Sequence, residues 1–149
     1  MALRTRWADE VDPDRPLPEH PRPQLRRPRW TNLNGRWDAG VHPNGSPAVF
    51  DATIVVPFPA GSALSGLPHV LQPDECLSMR RTFSRPSLAP GERLRLHFGA
   101  VDWACEVRVN GNPVGRHEGG FDPFHLDITD ALVSHGEQHV EVSITDPTD

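Results

Sequence analysis

Lysine and tyrosine are both missing from this sequence of 149 residues. The 15 basic residues are therefore all arginine, which we attribute to genome composition, because a guanidinium group alone identifies no ligand. Without tyrosine, the four tryptophans are the main candidates for an aromatic platform that could hold a ligand. The net charge of −5 argues against a nucleic acid as a partner.

Long apolar runs are also missing. No segment approaches the roughly 18 apolar residues that a membrane-spanning helix needs, and the N-terminus has no apolar run of signal-peptide length. The only cysteines are Cys76 and Cys105, which is weak evidence for a disulfide framework. We therefore expect a cytoplasmic protein with reduced thiols and no membrane partner.

The common motifs of cofactor and metal sites do not occur. The sequence has no phosphate-binding glycine loop, no HExxH and no CxxC. His117 and His125 could face each other across a glycine loop, but two scattered histidines do not predict a metal site. We expect neither a cofactor nor a bound metal.

The length fits one domain and is too short for a (β/α)₈ barrel, which takes about 250 residues. The 17 prolines and 12 glycines favour many turns and short strands over long helices. Six of the prolines lie in residues 1–28, where missing amide donors and a fixed φ predict an extended arm. Residues 29–149 are expected to form the folded domain.

Alternation of apolar and polar residues predicts β-strands in that domain. Asn110-Gly111 between two such runs predicts a tight hairpin turn. Trp103 begins the run that continues through Val107 and Val109, so we expect its side chain to be buried. Short strands with frequent turns predict an all-β fold, an antiparallel jelly-roll β-sandwich. The predicted strands are residues 33–41, 53–56, 77–83, 93–98, 103–109 and 138–145, with two more on either side of a glycine loop at 119–120.

Several short motifs occur in a fixed order along residues 21–149, and together they resemble the N-terminal sugar-binding domain of glycoside hydrolase family 2, the β-galactosidases and β-glucuronidases. The motifs are Pro21-Arg22-Pro23-Gln24, Trp30, Leu33-Asn34-Gly35-Arg36-Trp37, Val56-Pro57-Phe58, Leu64-Ser65-Gly66, Arg80-Arg81-Thr82-Phe83 and Asp146-Pro147-Thr148-Asp149. The resemblance implies a galactose-binding-domain-like jelly roll. It also implies a catalytic barrel in the parent enzyme, and none of the barrel motifs occurs in these 149 residues.

Two positions depart from the family pattern. Gly61 precedes Ser62 where the family often has glutamate, and Ser78-Met79 stands where the family often has Trp-Tyr. The loss of two aromatic residues implies an altered core or partner surface.

The resemblance implies that two loops face the sugar, residues 68–75 and the glycine loop. Our candidate substrate-proximal residues in the glycine loop are His117, Glu118, Gly119, Gly120, Phe121 and Asp122. Glu118 is the one glutamate of this loop and lies between His117 and Gly119-Gly120, where it could approach a ligand closely. A glycosidase needs two carboxyl groups flanking the bond, so we expect no catalytic residue here. An alternative interpretation is that Gly119-Gly120 only permits a turn and that Phe121 packs in the core.

The implied function is a non-catalytic domain that supports the barrel and shapes the rim of its sugar site. The expected partners are a weakly bound β-glycoside, the barrel of the parent enzyme and a second copy in a homo-oligomer. Two alternatives stay open: a free-standing carbohydrate-binding module, and a purely structural interaction domain. Three of the four tryptophans lie in core-like contexts, which argues against a strong independent lectin.

Overall fold

A computed structural model of the protein describes residues 5–19 and 27–147. All regular structure in these residues is β-strand or short 3₁₀ turn, which confirms the all-β prediction. The strands are β1 (Gly35–Pro43), β2 (Ala52–Val56), β3 (Glu75–Ser84), β4 (Arg95–Phe98), β5 (Ala104–Val109), β6 (Asn112–Glu118), β7 (Phe124–Asp127) and β8 (Glu137–Thr145), and the 3₁₀ turns are Ala8–Glu10 and Thr129–Ala131.

The chain divides into two compact units, Met1–Trp37 with Thr53–Val70 and Asp38–Ala52 with Leu71–Asp149. In the first unit, Trp37 is buried and its indole N–H donates to the Leu33 carbonyl at 2.9 Å. Ser65 is also buried, and its hydroxyl accepts the Leu67 amide while donating to the Ser62 carbonyl. These bonds give partners to polar groups of this unit that are buried from water.

The predicted arm is only partly covered by the description. Within residues 5–19, Ala8 and Pro16 are buried, and Asp14 accepts a hydrogen bond from Arg36 at 2.7 Å. Residues 20–26, which include the Pro21–Gln24 motif, lie outside the described residues. The boundary at residue 28 therefore stays a prediction.

The second unit is built from two antiparallel sheets. β1, from Asp38 on, and four further strands form the larger sheet in the order β1-β3-β8-β5-β6. β4 and β7 form a two-stranded sheet. Gly115 on β6 has no side chain, and an added Cβ would collide with Leu126 of β7, so the glycine allows the two sheets to approach closely.

The core of this unit follows the predicted alternation. Every second residue of β5 and β8 is buried, while the residues between them are exposed or half-buried. The buried set is Cys105, Val107, Val109, Val140, Val142 and Ile144, joined by Ile128. Alternation therefore identified the inward face of both central strands, which is the feature that makes a sandwich core.

The hairpin turn between β5 and β6 has the predicted form. Asn110 and Gly111 both have positive φ, 51° and 80°, and Val109 pairs with Asn112 across the turn. Only glycine and asparagine adopt such angles readily, which explains the Asn-Gly pair.

Both cysteines are free, as expected from the sequence, and both are buried. β8 lies between β3, which holds Cys76, and β5, which holds Cys105, so two strand spacings of about 4.8 Å separate them. That span exceeds what a disulfide bridges. Burial raises the pKa of both thiols, which makes them poor nucleophiles. In the described part of the chain, no helix is long and apolar enough to cross a bilayer.

Candidate functional site

Two loops meet at one end of the second unit. β5 begins at Ala104, which pairs with Glu118 at the end of β6, so the segments 99–103 and 119–123 leave the sheet side by side. The Gly119 amide donates to the Trp103 carbonyl at 2.9 Å. We name residues 99–103 and 119–123 together the paired loops.

Gly120 lets the paired loops touch. A Cβ at this position would lie 2.6 Å from the Asp102 carboxyl carbon, closer than real Cβ contacts allow. Gly119 has a φ of 118°, a backbone conformation that favours glycine. Gly119 therefore has a conformational role, whereas Gly120 leaves room for the Asp102 carboxyl group beside the second loop.

The expectation that Trp103 is buried is wrong. Its side chain is 39% exposed. β5 begins only at Ala104, so Trp103 belongs to the loop, and the inward face of the strand does not extend to it. The alternation of residues 103–109 looked continuous in the sequence because Trp is apolar, although the strand had not yet begun.

Phe121 is 92% exposed, so the alternative that placed it in the core is also wrong. It lies at the tip of the second loop, between Gly120 and Asp122. Exposed apolar side chains that lie together in a patch often mark a binding surface. Together, Trp103 and Phe121 give the paired loops two exposed aromatic rings.

His117 contacts both the second loop and β7. Its ring stacks on Phe124 with centroids 4.0 Å apart, and its Nε2 donates to the Gly119 carbonyl at 3.2 Å, since a carbonyl can only accept. Phe124 in turn stacks on Phe98 at 4.7 Å. The half-buried His117 thus links the start of the second loop to β7. It does not face His125, whose register partner is His97.

Three carboxylates of the paired loops are exposed, on Asp102, Glu118 and Asp122. Among the residues that the structure describes, none donates a hydrogen bond to them. Their acceptor oxygens are therefore available to a ligand with hydroxyl donors. Asp102 and Trp103 are the two residues that sequence reasoning missed, because alternation assigned Trp103 to the strand and its buried face.

The second predicted sugar-facing loop lies partly at the same end. β3 begins at Glu75, so residues 71–74 leave the larger sheet on the side of the paired loops. Three strand spacings, roughly 14 Å in all, separate the start of β3 from the end of β6. Residues 68–70 belong to the first unit.

Shifted carboxyl pKa values lie elsewhere. Arg93 and the Thr129 hydroxyl and amide hold the pKa of Asp127 well below its usual range, at the opposite end of β7. Arg116, followed by Arg108, lowers the pKa of Glu106 on the outer face of β5. Both are ion pairs that link neighbouring segments, and they provide no acid held neutral for catalysis.

The paired loops offer two kinds of group that can contact a ligand. Aromatic rings offer flat apolar faces, and carboxylates accept hydroxyl hydrogens, which is the combination that a sugar ring requires. In the described ranges no group of three His, Cys, Asp or Glu side chains could hold a metal ion. The site as described therefore offers contacts to a polar, hydroxylated ligand.

Comparison with known proteins agrees with this architecture. Residues 73–149, just over half of the chain, match the family model described as "glycosyl hydrolase 2 galactose-binding domain-like". The chain belongs to this family. The match includes the paired loops and all strands from β3 to β8.

Relatives in this family are large enzymes. A β-galactosidase from Thermoanaerobacter pseudethanolicus is 39% identical over 53 residues, 36% of this chain and 7% of the relative. A β-glucuronidase from Paenibacillus borealis is 38% identical over 64 residues, 43% of this chain and 11% of the relative. The matched segments therefore cover only about a tenth of the length of these relatives.

Solved structures show the same fold. The β-glucuronidase of Bifidobacterium dentium, complexed with coumarin-3-O-glucuronide, is 30% identical with a TM-score of 0.57, covering 76% of this chain and 19% of that one. A β-glucuronidase of Faecalibacterium prausnitzii has a TM-score of 0.63 at 23% identity, covering 77% and 20%. The galactose-binding-like sandwich that the sequence predicted is confirmed.

Proposed function

We propose that the paired loops form a non-catalytic sugar-facing rim, which completes the active site of a β-glycosidase whose barrel carries the reaction. The observation that carries this proposal is the contact between the loops, in which Gly119 bonds Trp103 and Gly120 makes room for Asp102. The contact brings together two loops that carry exposed rings and carboxylates, and no described residue bonds those carboxylates.

The relatives support the class of ligand. They are named β-galactosidase and β-glucuronidase, so a β-glycoside is the ligand that we propose for the rim. The further partners in this proposal are the barrel of the parent enzyme and a second copy of the chain. The proposed reaction of the parent is hydrolysis with retention, which requires a nucleophilic carboxylate and an acid/base carboxyl about 5–5.5 Å apart.

A free-standing carbohydrate-binding module is the second candidate. The exposure of Trp103 and Phe121 favours it, because an independent module needs exposed aromatic rings and the sequence had predicted that both side chains could be buried. The two candidates differ in affinity. A rim without its barrel is an open surface that buries little of the sugar, whereas an independent module has to bury most of it.

The test is titration of the 149-residue chain with methyl β-galactoside and methyl β-glucuronide, followed by NMR chemical shifts. We expect shifts confined to the paired loops and a dissociation constant of about 1 mM or weaker, about −4 kcal/mol. Trp103→Ala and Asp102→Asn should remove the shifts. Trp7→Ala, at an exposed tryptophan of the first unit, is the matched control and should leave them unchanged.

Other outcomes separate the candidates. Micromolar binding by the chain alone would favour the free-standing module. No shifts in the paired loops at high sugar concentration would favour a structural domain. The chain should not hydrolyse aryl β-galactosides or β-glucuronides, and turnover that Glu118→Gln abolishes would make this domain an enzyme.

A further inference from the structure

Two histidines face each other on the outer surface of the two-stranded sheet. His97 of β4 and His125 of β7 are direct register partners, and both are exposed. Their ring centroids are 5.5 Å apart, with an angle of 33° between the planes. The proposed rim uses neither side chain.

The geometry suits chelation of one ion. Directly opposed residues of an antiparallel pair have Cβ atoms about 4.5–5.5 Å apart, so the two imidazole rings lie next to each other. Zinc binds a histidine nitrogen at about 2.0–2.1 Å, and imidazole suits zinc, copper and nickel alike. Because ring nitrogens lie at the rims of the rings, centroids 5.5 Å apart leave space for an ion that contacts both.

The surroundings do not oppose a cation. The neighbouring register pair on the same face is Arg95 and Asp127. Arg93 bonds both Asp127 and Asp130, so the two arginines and two aspartates together add no net charge. Asp127 is held by Arg93 through a 2.7 Å hydrogen bond and is not needed as a ligand.

We propose that His97 and His125 form a surface site for one first-row transition-metal ion, Zn²⁺, Ni²⁺ or Cu²⁺. The protein supplies two ligands, since no group of three suitable side chains occurs in the described residues, and water completes the coordination. For a nitrogen site without imposed geometry, affinity should follow the order in which Cu²⁺ exceeds Ni²⁺ and Zn²⁺.

The position of the site gives the ion a structural effect. Phe98 follows His97 and stacks on Phe124, which precedes His125. Beyond these phenylalanines the two strands continue directly into the paired loops. An ion bound by both histidines therefore cross-links β4 and β7 at the base of the paired loops, whether or not those loops bind sugar.

The test is calorimetric titration of the 149-residue chain with Ni²⁺ and with Cu²⁺. We expect His97→Ala and His125→Ala each to weaken the affinity at least tenfold, because either change destroys the chelate. His139→Ala is the matched control, an exposed strand histidine on β8, and should bind as the wild type does. Saturating Ni²⁺ should raise the melting temperature of the wild type and of His139→Ala only.

Copper electron paramagnetic resonance gives a second measurement. The wild type should show two coordinated nitrogens at the site and each single variant one. Because both side chains are exposed, the variants without metal should melt near the wild-type temperature. If His97→Ala melts at a clearly lower temperature, His97→Gln takes its place in the titrations. Wild-type affinity in both single variants, or equal loss in His139→Ala, would overturn the proposal in favour of adventitious surface binding.

Discussion

The two ends of the strands in the second unit use polar side chains in opposite ways. At one end, the buried Gln138 accepts hydrogen bonds from Asn110 and from the Val133 amide, both at 2.9 Å, and donates to two carbonyls. At the other end, the three carboxylates of the paired loops bond no described residue. We name these the tied end and the open end.

The difference separates structure from function. Every polar atom of Gln138 has a partner, so the tied end fixes the turn between β5 and β6 to the start of β8. The open end keeps exposed rings and spare acceptors that the fold does not require. Substitutions at the tied end should therefore reduce stability, and those at the open end should mainly reduce ligand contact.

Gln138→Leu should give the largest effect. Leucine fills the space but leaves the Asn110 amide group, the Val133 amide and two carbonyls without their partner. Buried unsatisfied groups cost about 1–3 kcal/mol each, and partial relaxation leads us to expect a loss of about 3 kcal/mol in the free energy of unfolding. Urea denaturation measures it. Gln72→Leu, the same change at an exposed position of the open end, should stay within about 0.5 kcal/mol.

Trp103→Ala should cost less, about 1–2 kcal/mol. A fully buried tryptophan costs about 3–5 kcal/mol when truncated, but 39% of this side chain is exposed and little cavity forms. The same urea measurement applies, and acrylamide should quench the fluorescence of Trp103 more strongly than that of the buried Trp37. A loss above about 3 kcal/mol would show that Trp103 belongs to the core, as alternation predicted.

Most of the strands could be predicted from the sequence, because alternation reports burial directly where a strand is continuous. The strands around Arg95–Phe98 and Glu137–Thr145 and the turn at Asn110-Gly111 were found in this way. The candidate loop at residues 117–122 was found from its glycines and from family resemblance, and its role as a sugar contact stays a prediction.

The composition of the open end could not be predicted. Asp102 and Trp103 lie 16 and 15 positions before Glu118, and the pairing of β5 with β6 brings them together. The predicted hairpin at Asn110-Gly111 implied that these two loops adjoin, but alternation placed Trp103 inside the strand and so hid the end of the first loop. The pairing of β4 with β7 depends on strand order, which one sequence does not give. The same limit explains why His125 was matched with His117 in the sequence, whereas the register pairs it with His97.

The smallest expected effect concerns pH at the tied end. Arg93 and Thr129 hold the pKa of Asp127 well below its usual value near 3.9, so the folded state keeps this carboxylate charged where the unfolded chain would protonate it. The ion pair therefore stabilises the fold above about pH 4, and this contribution is lost as the pH falls through the folded-state value. Asp127→Asn should lower the melting temperature slightly at pH 7. Between pH 4 and about pH 2, the melting temperature of this variant should fall less than that of the wild type.

Asp122→Asn, at the open end, should keep the wild-type pH dependence of the melting temperature, because no described residue donates a hydrogen bond to Asp122. Equal pH dependence in the wild type and Asp127→Asn would mean that the contacts of Arg93 do not fix the tied end, and the distinction between the two ends would then rest on Gln138 alone.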